Sequence, residues 1–232
     1  MARGIFVTGT DTGVGKTVVA AALLRGLAAE GLRAVGMKPV AAGLDEAEDS
    51  ADAVPADTRA LIAAGNVEAP LADVNPYAFA PPIAPELAAR AAGAIIDLDV
   101  IAAAYSRLAL RADAVVVEGA GGALVPLSRA SDMLDIPARL HLPVLLVVGM
   151  RLGCINHALL TALAIRTRGL TIAGWVANRI DRDMLEGDAN VSALTERLGA
   201  PLCADFAWND GAAHAPTFPR AAVRALGFAP PR

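Results

Sequence analysis

The chain has 232 residues, of which 55% are hydrophobic, 19% charged and only 4% aromatic, and it carries a formal net charge of −4. That balance leaves no basic stripe to neutralise a nucleic-acid backbone, and no apolar run reaches the ~18 residues a membrane-spanning helix requires. Two cysteines, Cys154 and Cys203, are too few and too far apart in sequence for a disulfide framework, so a reducing compartment is the simpler reading. Met1-Ala2-Arg3-Gly4 runs straight into a strand with no signal-peptide hydrophobic region, and a cytoplasmic location is expected. The length fits one domain over residues 1–232, and the abundance of small aliphatic residues suits strands buried on both faces.

In chain order, Ile5 to Thr8 reads as a first buried strand, followed by a Gly-rich loop and a helix from about Lys16 to Glu30 that stops at Gly31. Ala34 to Val40 reads as a second strand. Ala41 to Pro55, with Asp45, Glu46, Glu48, Asp49 and Asp52, shows no periodicity and reads as a solvated loop. Asn66 to Pro85 holds five prolines and reads as an extended irregular surface loop. Further strands are expected at Ala114–Glu118, Val144–Val148 and Thr171–Asn178, with a short one at Leu202–Ala204. Strands alternating with helices at this spacing predict an α/β fold, a mostly parallel sheet with helices on both faces. Chemistry in such sheets gathers at the carboxyl ends of the strands.

The loop after the first strand is Gly9-Thr10-Asp11-Thr12-Gly13-Val14-Gly15-Lys16-Thr17. Between a strand and a helix, such a loop points backbone N–H groups at phosphates, and the helix N-terminus adds partial positive charge. Lys16 would reach the β- and γ-phosphates of ATP and the Thr17 hydroxyl would ligate Mg2+. The strict motif has four residues before Gly-Lys-Thr; Gly9 leaves five, and Thr10 takes the usual first-glycine slot. A glycine turn that merely caps a helix would need no lysine. Two more residues belong with this loop. Glu118 ends a strand before Gly119-Ala120-Gly121-Gly122, an arrangement that brings an acid to a metal and backbone to a nucleotide. Lys38, in Met37-Lys38-Pro39-Val40, ends the second strand; it could snorkel at a sheet edge, but the first three strands of a phosphate-loop sheet converge there.

These blocks together resemble the dethiobiotin synthetases, a family with the three-layer P-loop NTPase fold. The likeness is carried by Phe6–Thr12 with Val14–Thr17, Lys38-Pro39-Val40, Val74–Tyr77 with Pro85, Val117–Gly122, Gly153–His157 and Gly174–Asn178. The resemblance implies ATP- and Mg2+-dependent carboxylation of 7,8-diaminononanoate by CO2 or bicarbonate, closing a cyclic urea, in a homodimer. It assigns Lys38 and Lys16 to catalysis, and Thr17, Asp57 and Glu118 to the metal, with Asp49 and Asp52 as alternatives to Asp57. Nucleotide contacts would come from Gly13, Val14, Gly15, Lys16, Thr17, Val18, Asp57, Glu118, Gly119, Ala120 and Gly121. Asn178, Arg179 and the Ala207-Trp208-Asn209 stretch would surround the base, although Trp208 could equally be a packing residue. Substrate would meet Thr12, Lys38, Ala42 and Gly153-Cys154-Ile155-Asn156, the last four holding its carboxylate from the neighbouring subunit.

The chain departs from the family pattern at Gly13, where many relatives carry an acid, and at Ala42, where many carry serine. Neither removes phosphate, metal or lysine chemistry. A rival reading is an ATPase switch of the same fold, which does no small-molecule synthesis. Such switches usually carry a second loop lysine where this chain has Asp11. The three histidines, His141, His157 and His214, lack metal-ligand spacing.

Overall fold

The computed structural model describes residues 2–43, 54–208 and 216–228. In chain order the elements are β1 (Arg3–Gly9), α1 (Lys16–Ala29), β2 (Ala34–Met37), β3 (Val40–Ala42), α2 (Ala56–Ala64), α3 (Leu71–Val74), β4 (Tyr77–Phe79), α4 (Pro85–Ala91) and α5 (Leu98–Ala109). They continue with β5 (Ala114–Gly122), α6 (Asp135–Leu140), β6 (Val144–Met150), α7 (Cys154–Thr167), β7 (Ile172–Arg179), α8 (Gly187–Arg197), β8 (Leu202–Phe206) and α9 (Arg220–Ala225). Six strands form one sheet in the order β2-β5-β1-β6-β7-β8, every neighbouring pair parallel. This is the α/β architecture expected from the alternating apolar runs.

Each central strand feeds two cores because successive side chains point to opposite faces. Ile5, Val7, Val116, Leu145 and Val147 pack under α1, α2 and α9. Phe6, Val115, Val117, Leu146 and Val148 pack on the other face with residues of α4, α5, α7 and α8. Among the described residues no helix is long and apolar enough to cross a membrane.

Three sequence expectations need correction. The second strand does not run to Val40; β2 stops at Met37, and Val40–Ala42 pairs with β4 in a separate two-stranded sheet. Pro39 has no N–H to extend the ladder, and its carbonyl instead accepts from the Tyr77 N–H at 3.2 Å. The proline-rich stretch 66–85 is therefore not a plain loop: it contains α3 and β4, and its backbone is tied to β2 and β3. The strand expected over Ala114–Glu118 runs on to Gly122 as β5. Residues 216–228 also contribute to the fold. Phe218, Val223, Leu226 and Phe228 join the core under α1, and Glu30 at the end of α1 holds Arg220 at 2.7 Å. The acidic stretch lies outside the described residues from position 44 to 53, and with it Asp49 and Asp52.

Candidate functional site

The phosphate loop links β1 to α1, and one side chain anchors it. Val14 is 1% exposed; it fills a socket made by two glycines, since a Cβ at Gly9 or Gly149 would come within 2.5 or 2.8 Å of its methyls. Its side chain is thus spent on packing, and only its backbone is available to a nucleotide. Gly13 and Gly15 take φ of 74° and 88°, the left-handed region that other residues occupy at a cost. Nothing lies within 4 Å of a Cβ built at Gly13, so the acid of many relatives would find space but a strained backbone. Val18 lies on the outer side of α1 with 43% of its surface exposed.

Lys16 lies folded back on the loop, donating to the Asp11 carbonyl at 3.0 Å. Burial, and then the nearby Lys38 charge, push its pKa down to about 8. A polyphosphate beside it would favour the ammonium again. Asp11 is itself held by Arg151, whose Nη2 lies 2.6 Å from its Oδ2. Because Arg151 opens the turn into α7, this ion pair ties the phosphate loop to Gly153–Asn156.

The centre of the site is a cluster built just past the carboxyl end of β2 and midway along β5. Glu118 Oε1 accepts from the Thr17 hydroxyl at 2.8 Å and from Lys38 Nζ at 2.7 Å. Lys38 also meets Asp57 Oδ2 at 2.7 Å and the Gly119 carbonyl at 3.2 Å. Burial, the largest influence, lowers the Lys38 pKa, but the Glu118 and Asp57 carboxylates together outweigh it and hold the ammonium above its ordinary value. Local structure explains how these groups meet. Lys38 is the first residue past β2, where its N–H donates to the Val74 carbonyl at 2.7 Å and its carbonyl accepts from Asn75 Nδ2 at 2.7 Å. Asp57 sits in the first turn of α2, where an acid is favoured by the helix dipole.

This cluster also tests whether Mg2+ suits the chain. Glu118 Oε2 is buried without a hydrogen-bond partner among the described residues, and a buried carboxylate oxygen favours a donor or a cation. The second carboxylate oxygen, the Thr17 hydroxyl and the Asp57 carboxylate form an all-oxygen donor set, the kind magnesium takes alongside phosphate oxygens and water. Among the described residues no group of three or more His, Cys, Asp or Glu is placed to hold a metal ion.

The remaining predicted residues are spread from the phosphate loop and β3 to the segment after β8. Thr12 is exposed, its N–H bonded to Asp11 Oδ1 at 2.7 Å. Gly119, Ala120 and Gly121 continue β5, and Gly121 takes a φ of 63°. Ala42 ends β3, partly exposed. Gly153 begins α7 in a left-handed conformation with no side-chain cap. Cys154 is buried and Asn156 exposed, so Cys154 can offer only its backbone. Asn178 is buried, and its amide donates to the Val14 carbonyl at 2.8 Å. Arg179 is committed to Asp205 at 2.7 Å and Asp188 at 2.5 Å, and its hydrogen bonds to these acids raise its pKa. It lines a small cleft of about 80 Å³ with Met150, Asp181, Arg182, Met184, Gly187 and Trp208. Trp208 is 46% exposed and Ala207 is exposed, whereas Asn209 falls outside the described residues.

Sequence reasoning missed two contributors. Asn75 holds the Lys38 backbone and also accepts from the buried Thr58 hydroxyl at 3.3 Å. A polar residue before Pro76, inside an apolar stretch, was the available signal. Arg151 was missed because nothing local marks its pairing with Asp11.

An AAA-domain family model matches residues 3–214. The chain is 54% identical over 202 residues to the ATP-dependent dethiobiotin synthetase BioD of Nitrosospira multiformis, covering 87% of each chain. It is 47% identical over 227 residues to the protein of the same name from Xanthomonas euvesicatoria, covering 98% of this chain and 97% of that one. Among solved structures it resembles the septum site-determining protein MinD of Pyrococcus horikoshii with Mg-ADP, at a TM-score of 0.55 and 17% identity over 88% of this chain and 81% of that one. A ParA family ATPase of Chlorobium tepidum gives 0.55 and 13% over 97% and 89%. At such identities these two establish the P-loop NTPase fold alone, while the curated relatives decide the family. The chain belongs to the ATP-dependent dethiobiotin synthetases, a family of ligases.

Proposed function

We propose that this chain uses ATP and Mg2+ to carboxylate 7,8-diaminononanoate and close the ring of dethiobiotin, releasing ADP and phosphate. One amine adds to CO2 and loses a proton, giving a carbamate. A carbamate oxygen attacks the γ-phosphorus and ADP leaves. The second amine then attacks the carbamoyl carbon and expels phosphate. The observation that carries this reading is the buried Lys38 ammonium, fixed by Asp57 and by Glu118 of β5, the strand that separates β2 from the β1 of the phosphate loop. A switch has no need of a second buried cation there, whereas two anions, a carbamate and a triphosphate, must be brought together in this reaction. Lys16 binds the phosphates, and Lys38 offsets the charge that develops where carbamate and γ-phosphate meet. Thr17, Asp57 and Glu118 would hold the magnesium ion, which supplies positive charge to the phosphates when bound. ATP turnover should be slow alone and rise sharply only with diamine and bicarbonate together. Turnover indifferent to the diamine contradicts the synthetase and favours the switch.

The same reading makes the protein a homodimer in which Gly153–Asn156 receives the distal carboxylate of the substrate bound to the partner. Leu160 and Leu163 support it: they lie three residues apart on α7 and are 57% and 62% exposed, beyond Leu152 at 95%. N–H groups at a helix start attract a carboxylate; in α7 the Cys154 N–H already donates to the Arg151 carbonyl at 3.0 Å, which leaves the contact to the residues after it. Leu160→Glu/Leu163→Glu should yield a monomer in sedimentation and weaken diamine binding about tenfold or more, with ATP affinity little changed, since burying charge in an apolar contact is costly. A monomer with full diamine affinity contradicts the shared site.

A further inference from the structure

We infer that Asn178 is a positioning residue for the phosphate loop, aiming the Gly15 N–H at the phosphates. The inference rests on the reading of this loop as an ATP site and adds a duty beyond contact with the base. Asn178 is the penultimate residue of β7, where it is 8% exposed and lies between Gly149 of β6 and Phe206 of β8. Its Nδ2 donates to the Val14 carbonyl at 2.8 Å. The orientation is fixed by chemistry, because a carbonyl can only accept and so must face the amide nitrogen.

A trans peptide points its C=O and its N–H in opposite directions. Drawing the Val14 carbonyl towards Asn178 therefore turns the Gly15 N–H away from β7. The start of α1 gives that N–H no partner within the helix, and phosphate oxygens are suited to take it. The two flanking residues bring this peptide close against Asn178. Val14 is plugged into its socket of Gly9 and Gly149, and a Cβ on Gly15 would lie only 2.1 Å from Asn178 Nδ2. Without the amide, this peptide could rotate. A carbonyl would then face the anion in place of an N–H.

The test separates phosphate binding from base binding by using inorganic tripolyphosphate, which has no base. Titration calorimetry with Mg2+ would compare the parent chain, Asn178→Ala and Asn178→Asp for both tripolyphosphate and ATP. Loss of a buried hydrogen bond that orients a charge-binding donor should weaken tripolyphosphate by about tenfold in Asn178→Ala. Asn178→Asp keeps the shape but sets a carboxylate oxygen against the Val14 carbonyl, and should weaken it further. A 15N-glycine spectrum adds a direct readout: tripolyphosphate should shift the Gly15 amide in the parent chain and much less in either variant. Unchanged melting temperatures would separate the effect from general unfolding. Tripolyphosphate bound equally by all three, with only ATP weakened, would overturn the inference and leave Asn178 as a base contact. A parent chain that binds no tripolyphosphate would overturn the phosphate-loop reading itself, and the inference with it.

Discussion

Lys38→Met should lower turnover by about 10²–10³-fold, the usual cost of removing one preorganised charge at a developing anion, while ATP affinity stays within about threefold of the parent, as expected for a group acting in the transition state alone. The methionine keeps the length and the apolar stem, so the change isolates the ammonium. It also removes the partner of a buried carboxylate: Glu118 has a side-chain exposure of 1% and would keep only the Thr17 hydroxyl. Stability without metal should therefore fall by about 3–5 kcal/mol, read by urea denaturation. In Lys38→Met/Glu118→Gln the uncompensated charge is gone, so stability should largely return while turnover stays low. Because Glu118→Gln also removes a proposed metal ligand, the double variant reports on stability, and the catalytic role of Lys38 is read from the turnover of folded Lys38→Met. Full recovery of turnover in the double variant, or a loss of ATP affinity as large as that of Lys16→Ala, would contradict the division of roles between the two lysines.

The sequence carries the phosphate loop and the sheet openly because both are local. Gly15-Lys16-Thr17 sits at a fixed spacing from a strand, and strands buried on two faces read as unbroken apolar runs. Lys38 was harder to interpret. Its neighbours in sequence, Met37 and Pro39, say nothing of Glu118 and Asp57, which reach it from β5 and α2 across 80 and 19 positions. The three-residue strands β3 and β4 escaped because neither has the length to show a period. They exist through pairing with each other once Pro39 ends β2. Asn178 shows the same limit from the other side. Its place at the end of a strand could be read from sequence, but its bond to Val14, 164 positions away, is a product of the fold. Charged pairs such as Asp11 with Arg151 leave no local trace at all, since either residue alone reads as an ordinary solvated side chain.

The chemical route is tested most directly by following oxygen. In the proposed sequence both oxygens of the carbamate derive from CO2. One becomes the bridge to the γ-phosphorus and leaves with phosphate when the second amine attacks; the other stays as the urea carbonyl. The enzyme would be supplied with 18O-labelled CO2, the diamine, ATP and Mg2+ in unlabelled water, and sampled before the label exchanges. The account predicts one 18O in each phosphate released and one in each dethiobiotin formed, with ADP unlabelled. Phosphate that instead draws its new oxygen from solvent water would mean that ATP is hydrolysed without passing through the carbamate, and would contradict the proposed mechanism.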